Sequence, residues 1–576
     1  MRQGCWVVAV LWWAAGMGCG SAARPSTAPP DLRRPQAEKA ALPPMAPLPE
    51  LEPAKSIELE LLRAKREGWM TTSSFLSGLR RLPDGSFIIG GQTNGTLVLD
   101  RDGENPVKLV GGKKPSANHS VNRRPWLARY DAEMNLLWAK SIGGNHISRM
   151  EVLADGSVAV IGITEQQSRL EGSKVFGKGT ARETRVPDCD PAFEKYRELV
   201  PDEEWYPTGG SGHMREAGPK CRMWFVALYD ADGDFQWVRT GHAQQQIRYP
   251  NAKALPDGSL AVVATFGGLA LLDAGTENER HLELPLGIEW RYTVEHPIPF
   301  LIRYQRDGSI SSVRQLTPVN TWLDVDSINV LDDGHLALVG WRGHVMGTSD
   351  ESKYHELPPK FFIRVVDSSG TRRWQETFDI PPETFNGGSR ARSGKFPNGD
   401  LLLTYAYRFR GETTVRHRGK VLHRATAPET VRPRVQYALR MDPHGRLRWL
   451  ISTAQAQREM GGASLPPTIV MHDGSWLLAG RRMKGDTEFV VAPDQPNRWR
   501  SESEEDYFVA RFFPDGRLDE VFVQPEFPKG AHLPRARPEP DGTYYALTED
   551  WTVKRKVPHV ALSEQKITFE PEPSGR

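Results

Sequence analysis

Apolar and polar residues alternate along this chain in short runs broken by glycine turns. The stretch 224–241, WFVALYDADGDFQWVRTG, shows the pattern. Phe225, Ala227 and Tyr229 alternate before Asp232-Gly233, and Phe235 and Trp237 alternate after it. Period-two alternation on both sides of an Asp-Gly pair predicts two short strands joined by a tight hairpin turn. Glycine suits the turn because it adopts positive φ without strain.

The pattern recurs through the chain. A first hairpin type occurs at 80–91, 150–162, 252–264, 328–340, 394–406, 469–480 and 536–548, with turn glycines Gly85, Gly156, Gly258, Gly334, Gly399, Gly474 and Gly542. A second type follows each, at 126–144, 224–241, 300–316, 361–378, 437–453, 507–524 and, degenerate, 559–572. A tryptophan sits past the second turn as Trp237, Trp374 and Trp449, with Trp138 in the matching place. Units three and six carry Ser312 and Glu520 there, and unit one has Met134 where others have the turn glycine.

Two hairpins per unit make four strands. Seven such units predict an all-β, seven-bladed β-propeller of four-stranded antiparallel blades over 74–572. Radial closure removes the edges that an open sheet of this size would expose. A pair of β-sandwiches or two smaller propellers are the alternatives; no linker interrupts the repeats, which favours one ring. The phrases FVALYDADGDFQW and LPDGS, the latter followed by a Gly-ended strand, resemble the seven-bladed propeller repeats (SBBP-like repeats) of bacterial exported proteins and lipoproteins, over roughly residues 74–570. The resemblance implies the fold and brings no catalytic residues with it.

Composition agrees with a turn-rich β protein: 53 Gly, 45 Pro and 17 Trp. Lys plus Arg number 74 against 72 Asp plus Glu, so no basic excess points to a nucleic-acid partner.

The N-terminus reads as an export signal. Arg2 precedes the mostly apolar run Trp6 to Gly18, which is short for a membrane span. Gly16-Met17-Gly18-Cys19 resembles a bacterial lipoprotein box, with Gly16 where such boxes usually carry Leu; the alternative is an ordinary secretory signal. The expected organisation is a signal peptide over 1–18, lipidation at Cys19 and a Pro/Ala-rich tether over 19–55. Residues 56–73 follow as a leading segment, either short helix or strand, and then the propeller. Cys5 leaves with the signal. Cys189 and Cys221 remain in one segment of an exported protein, where a disulfide is the natural expectation and two free thiols the alternative.

The link between the two hairpins varies in length. It is long at 164–222, 266–298, 407–435 and 481–505, and the usual blade order puts all of these on one face. Loops on a rigid scaffold commonly carry binding; insertion drift is the alternative. The link of unit five is basic, with Arg416, Arg418, Lys420 and Arg424 as a candidate binding loop for an anionic surface such as an acidic glycan. A solvated strand pair is the bland alternative.

Asp230, Asp232 and Asp234 lack the further ligands of a calcium loop. There is no Gly-x-Ser-x-Gly, His-Glu-x-x-His or Walker loop. His119, His146, His213 and His242 are scattered and read as loop or surface residues. No catalytic residue, metal or cofactor is expected. The sequence thus points to a lipid-anchored monomer of the bacterial envelope, outer membrane more than inner. It would be a binding or scaffold module for a protein or glycan. The alternative is a polysaccharide hydrolase or lyase with its site in the central pocket.

Overall fold

The computed structural model describes the strands and most tight turns between residues 56 and 565. Residues 1–55 and 566–576 lie outside the described set, as do connecting segments, the longest being 63–73, 111–123, 196–221, 283–297, 380–390, 457–467 and 525–536. All described residues fall within the single contact unit Leu51–Thr568.

The described residues are all-β and contain no helix. They form antiparallel four-stranded sets in simple up-and-down order. Unit one is Ser74–Arg81, Phe87–Thr93, Arg124–Tyr130 and Leu136–Ser141. Unit two is His146–Val152, Val158–Glu165, Arg222–Tyr229 and Phe235–Ala243. The same order repeats in the sets starting at Asn251–Ala254, Thr321–Val330, Arg392–Lys395 and Thr468–Val470. A last set joins both ends of the chain. Arg537–Pro538, Tyr544–Asp550 and His559–Gln565 are followed by Ser56–Leu62, with Ser56 facing Ser563 and Glu60 facing His559. The leading segment therefore begins as a strand, not a helix.

The hairpin turns differ in one respect from the tight Asp-Gly turn. Leu82 N donates to Ser86 O at 2.7 Å and Gly85 N donates to Leu82 O at 3.0 Å, closing a three-residue loop. Among the turn glycines φ runs from 75° at Gly233 to 90° at Gly516, while no Asp preceding them has positive φ. Only the glycine is left-handed, the signature of a type I turn with a glycine bulge.

Core residues lie between consecutive sheets. In unit two, Val158, Val160, Phe225 and Ala227 pack towards unit one, while Ala159, Ile161, Trp224 and Val226 pack towards unit three. Middle strands are thus buried on both faces, so alternation selects which neighbour a side chain meets. Similar clusters join units three and four, four and five, and five and six. The first strands of successive sets lie against one another from Ser74–Arg81 round to Thr468–Val470. This is a β-propeller-like arrangement, with first strands inside and fourth strands outside.

The tryptophans past the second turns lock one unit to the next. Trp237 Nε1 donates to Arg306 O (3.0 Å), Trp374 to Pro443 O (2.9 Å) and Trp449 to Pro514 O (3.1 Å). Each acceptor lies in the second-hairpin turn of the following unit, and the ring covers that turn's glycine: a Cβ on Gly308 would stand 2.7 Å from Trp237. Unit three, with Ser312, uses Arg314 instead, which packs on Gly370 and donates to Thr371 Oγ1 at 2.8 Å.

Four of the links form hairpins that extend the outer strand of the neighbouring set. Ala270–Leu272 pairs with residues 241–243, and Arg416 and His417 pair with Asp379 and Phe378. Thr487 and Glu488 pair with Ala456 and Gln455, and Thr96–Leu99 pairs with the leading strand. These segments lie along the rim as added strands and do not crown a face. The hairpin of unit two, Lys174–Phe176 with Thr184–Val186, stays a separate two-stranded sheet.

Candidate functional site

Many charged side chains are consumed by the scaffold. Asp84 accepts from Ser86 N (3.0 Å) and pairs with Arg129 of the third strand, whose Nε donates to Ser86 Oγ at 3.0 Å. Arg303 repeats this with Asp257 and Ser259, and Arg440 reaches Asp400 at 2.6 Å. These contacts hold the Asp84 and Asp257 carboxyls below the ordinary carboxylate range, through the serine hydroxyl for Asp84 and, against an opposing burial effect, through Ser259 for Asp257. In the D-A-D-G-D stretch, Asp230 Oδ1 accepts from Asp232 N (3.1 Å) and Asp234 N (2.8 Å), and Lys140 reaches Asp234 at 2.8 Å. Those carboxylates shape a turn and bind the adjacent unit.

The basic hairpin of unit five spans Glu412–His417 and Lys420–Thr426. Its turn, Arg418-Gly419, has positive φ at both residues, 50° and 76°, as a two-residue type I′ turn requires. Arg416, Arg418, Lys420 and Arg424 are all exposed. Two of them are committed within the fold: Arg418 Nε donates to Glu376 Oε2 at 3.2 Å, and Arg424 lies 3.9 Å from Glu412. His417 Nε2 also meets Glu376 Oε2 at 2.9 Å. Among the described residues Arg416 and Lys420 make no ion pair and point to water. Cys19, Cys189 and Cys221 lie outside the described residues.

A second charged group, which sequence reasoning missed, gathers where the first strands meet. Arg149 and Glu151 come from unit two, Arg80 from unit one, Lys253 and Asn251 from unit three, Asp326 from unit four and Arg392 from unit five. Lys253 Nζ stands 3.1 Å from both Glu151 oxygens, and Arg80 lies 3.9 Å from the same carboxylate. Arg149 Nη2 donates to the backbone oxygen of Asp326 at 3.0 Å, linking units two and four across unit three. Asn251 Nδ2 donates to the adjacent Val325 O. Asp326 Oδ2 accepts from Ala391 N at 2.8 Å, and Ser393 Oγ donates to Ser327 Oγ at 2.6 Å.

Bulges position two of these groups. The ladder slips between Ile147 and Arg149 and again between Val325 and Ser327, turning Asp326 out of register. The sequence signal was present: Arg80, Glu151, Lys253 and Asn329 each stand five residues before a turn glycine, and Arg149, Asn251, Ser327 and Arg392 stand seven before one. Burial pushes the Arg149 guanidinium down to about 10, and the Arg392 and Arg80 charges push the same way against Glu151 and Asp326. Arg149 stays charged at neutral pH.

The histidines are corrected in part. His242, expected on a loop or surface, is buried, with Nε2 2.8 Å from Thr240 Oγ1, and burial pushes it down to about 3. Beside it Asp273 accepts from Thr240 N at 2.8 Å and lies 3.7 Å from Arg239. Burial pushes that carboxyl up to about 6. His146 is half-buried and meets Gln92 Oε1 at 2.9 Å; His119 and His213 lie outside the described residues. Among the described residues no three His, Cys, Asp or Glu side chains gather as a metal site.

No protein-family model and no curated protein matches the chain. Similar solved structures include the polysaccharide lyase Uly1, at 11% identity and TM-score 0.38, covering 89% of this chain and all of that one. The Dos1 propeller shares 10% identity at TM-score 0.31, covering 85% and 94%. The intramolecular trans-sialidase from Ruminococcus gnavus shares 8% at TM-score 0.31, covering 87% and 96%. At these values the likeness assigns no activity.

Proposed function

We propose that this chain is an exported, lipid-anchored, seven-bladed β-propeller of the bacterial cell envelope that acts as a binding or scaffold module. Its partner, a protein or glycan, meets the rim formed by the added hairpins. One observation carries this reading: the links are built onto the sheets as paired strands and fixed by side chains, as Glu376 fixes His417 and Arg418. Insertion drift would not require such anchoring. A rigid rim offers a preformed surface at low entropic cost. The signal-like N-terminus, Cys19 and the proline-rich tether support the address, and Cys189 with Cys221 would close the link of unit two as a disulfide.

Two measurements test it. Cys19→Ala is expected to move the protein from the detergent phase to the soluble fraction; unchanged partitioning contradicts the anchor. Pull-down from intact envelopes, with and without residues 412–426, is expected to lose a partner in the trimmed form. Identical recovery from both forms removes the rim as the binding surface.

The charged group at the first strands favours a second reading, a polysaccharide hydrolase or lyase acting at the centre. An axis lined by small apolar side chains would have excluded it; Glu151, Lys253, Arg80 and Arg149 leave it open. Turnover of envelope polysaccharides by the purified protein distinguishes the two.

A further inference from the structure

We infer that the basic hairpin of unit five receives an acidic, extended peptide segment, which adds itself as a strand beside Lys420–Thr426. This rests on the rim reading of function and names the class of partner for that surface.

The first support is an open edge. Lys420–Thr426 is the last strand of its sheet: it pairs with Glu412–His417, and among the described residues no strand lies on its other side. An edge strand turns every second N–H and C=O outward, where another chain can pair with them. The second is the length of that edge. The outermost strands of the other three rim hairpins that join a neighbouring set are Val107–Val110, Arg280–Leu282 and Pro496–Arg500, blunted by shortness or by proline. Lys420–Thr426 has seven residues and no proline. Its bulge, opposite the step from Val415 to Arg416, sits near the turn and leaves His423–Thr426 in regular register. The hairpin is also fixed before a partner arrives. Val415 is buried, His423 Nδ1 meets Tyr437 Oη at 2.9 Å, and Glu376 holds His417 and Arg418. Such fixing lowers the ordering cost of association.

The third support is charge. Arg416, Arg418, Lys420 and Arg424 are exposed, against Glu412 and the shared Glu376. Asp379, opposite Arg416 in the ladder, is taken by Lys360 at 2.6 Å. Cations on an edge keep basic and neutral strands away, whereas carboxylates on an added strand meet them favourably. An acidic glycan would meet the same charges but leave the backbone ladder unfilled.

The test is calorimetric titration of the full chain with the end-capped peptide Glu-Val-Glu-Val-Glu-Val-Glu. The comparison ligands are the same peptide N-methylated throughout its backbone, the peptide with lysine for glutamate, and an oligoglucuronate with as many carboxylates. The acidic peptide is expected to bind saturably and to protect the amides of 420–426 from exchange. The N-methylated and lysine peptides are expected not to bind. Lys420→Glu with Arg424→Glu should weaken the acidic peptide by about tenfold or more, whereas Lys108→Glu, on the short edge Val107–Val110, leaves it unchanged. Absence of saturable binding overturns the proposal. So does equal affinity for the N-methylated peptide, protection confined to other strands, or an oligoglucuronate that binds as tightly as the acidic peptide. A partner lost from the pull-down on trimming 412–426 while the peptide fails to bind would leave the rim reading standing and remove the strand partner.

Discussion

Gly258 and Gly308 occupy the same left-handed region, with φ of 78° and 83°, yet they carry different burdens. A Cβ on Gly258 meets nothing within 4 Å, whereas one on Gly308 collides with Trp237. Gly258→Ala should therefore cost only the backbone penalty, about 1 kcal/mol. Gly308→Ala adds overpacking and should cost about 2–4 kcal/mol. Urea midpoints check this, and Trp237→Ala should absorb much of the second cost; equal costs at both glycines would contradict the inter-unit lock. The glycines and tryptophans were legible in the sequence because each repeats at fixed spacing. Their partner was not, because the carbonyl that Trp237 meets belongs to Arg306, 69 residues away.

The buried pair Asp273 and His242 makes a pH prediction. The folded pKa of Asp273 is raised to about 6, so its contribution is present below pH 4 and lost as pH rises through 6. His242 is lowered to about 3, so its contribution is present above 6.5 and lost on acidification. Asp273→Asn keeps an acceptor for Thr240 N and removes the ionised carboxylate beside Arg239, Arg280 and Tyr304. The variant should be more stable than the parent at pH 7.5 by about 1–3 kcal/mol. It should also lose more stability between pH 6.5 and 4, since His242 is then unopposed. A parallel pH–stability curve would refute the assignment.

At the scale of elements, the paired hairpins of units one to six were readable from alternation and turn glycines; the hairpin expected at 559–572 is replaced by a strand, His559–Gln565, that pairs with Tyr544–Asp550 and with Ser56–Leu62 from the other end of the chain. The added rim hairpins were not readable in this way. The link of unit one, between Thr93 and Arg124, carries Thr96–Leu99, whose partner is the leading strand and so is invisible in the local sequence. The basic link of unit five was visible as charge, but its division between structural and exposed residues depends on Glu376, which belongs to the preceding unit. Arg418 holds a left-handed backbone that glycine or asparagine would adopt more easily. Glu376→Ala should free both His417 and Arg418. Amide exchange should then rise across 412–426 and stay unchanged in 437–453; unchanged protection in the hairpin would mean that backbone pairing alone holds it.

For the whole molecule, repetition predicted the four-stranded antiparallel sets, while the polar centre stayed hidden. Arg149 and Asp326 are 177 residues apart and meet only because the sets are arranged side by side. The proposed seven-bladed ring would close between the ends of the chain, where Ser56–Leu62 pairs with His559–Gln565. In a closed ring that strand would secure the ends non-covalently, at the cost of joining distant parts of the chain. The most direct test is a cysteine pair at Ser56 and Ser563, which face each other, in a chain with Cys189 and Cys221 replaced by serine. The control pair is Ala546 with Ser563, which face each other within one hairpin. A closed ring predicts that both pairs oxidise to intramolecular disulfides in the folded protein and that urea abolishes preferential formation of the first. Oxidation of the control alone would contradict ring closure by the leading strand.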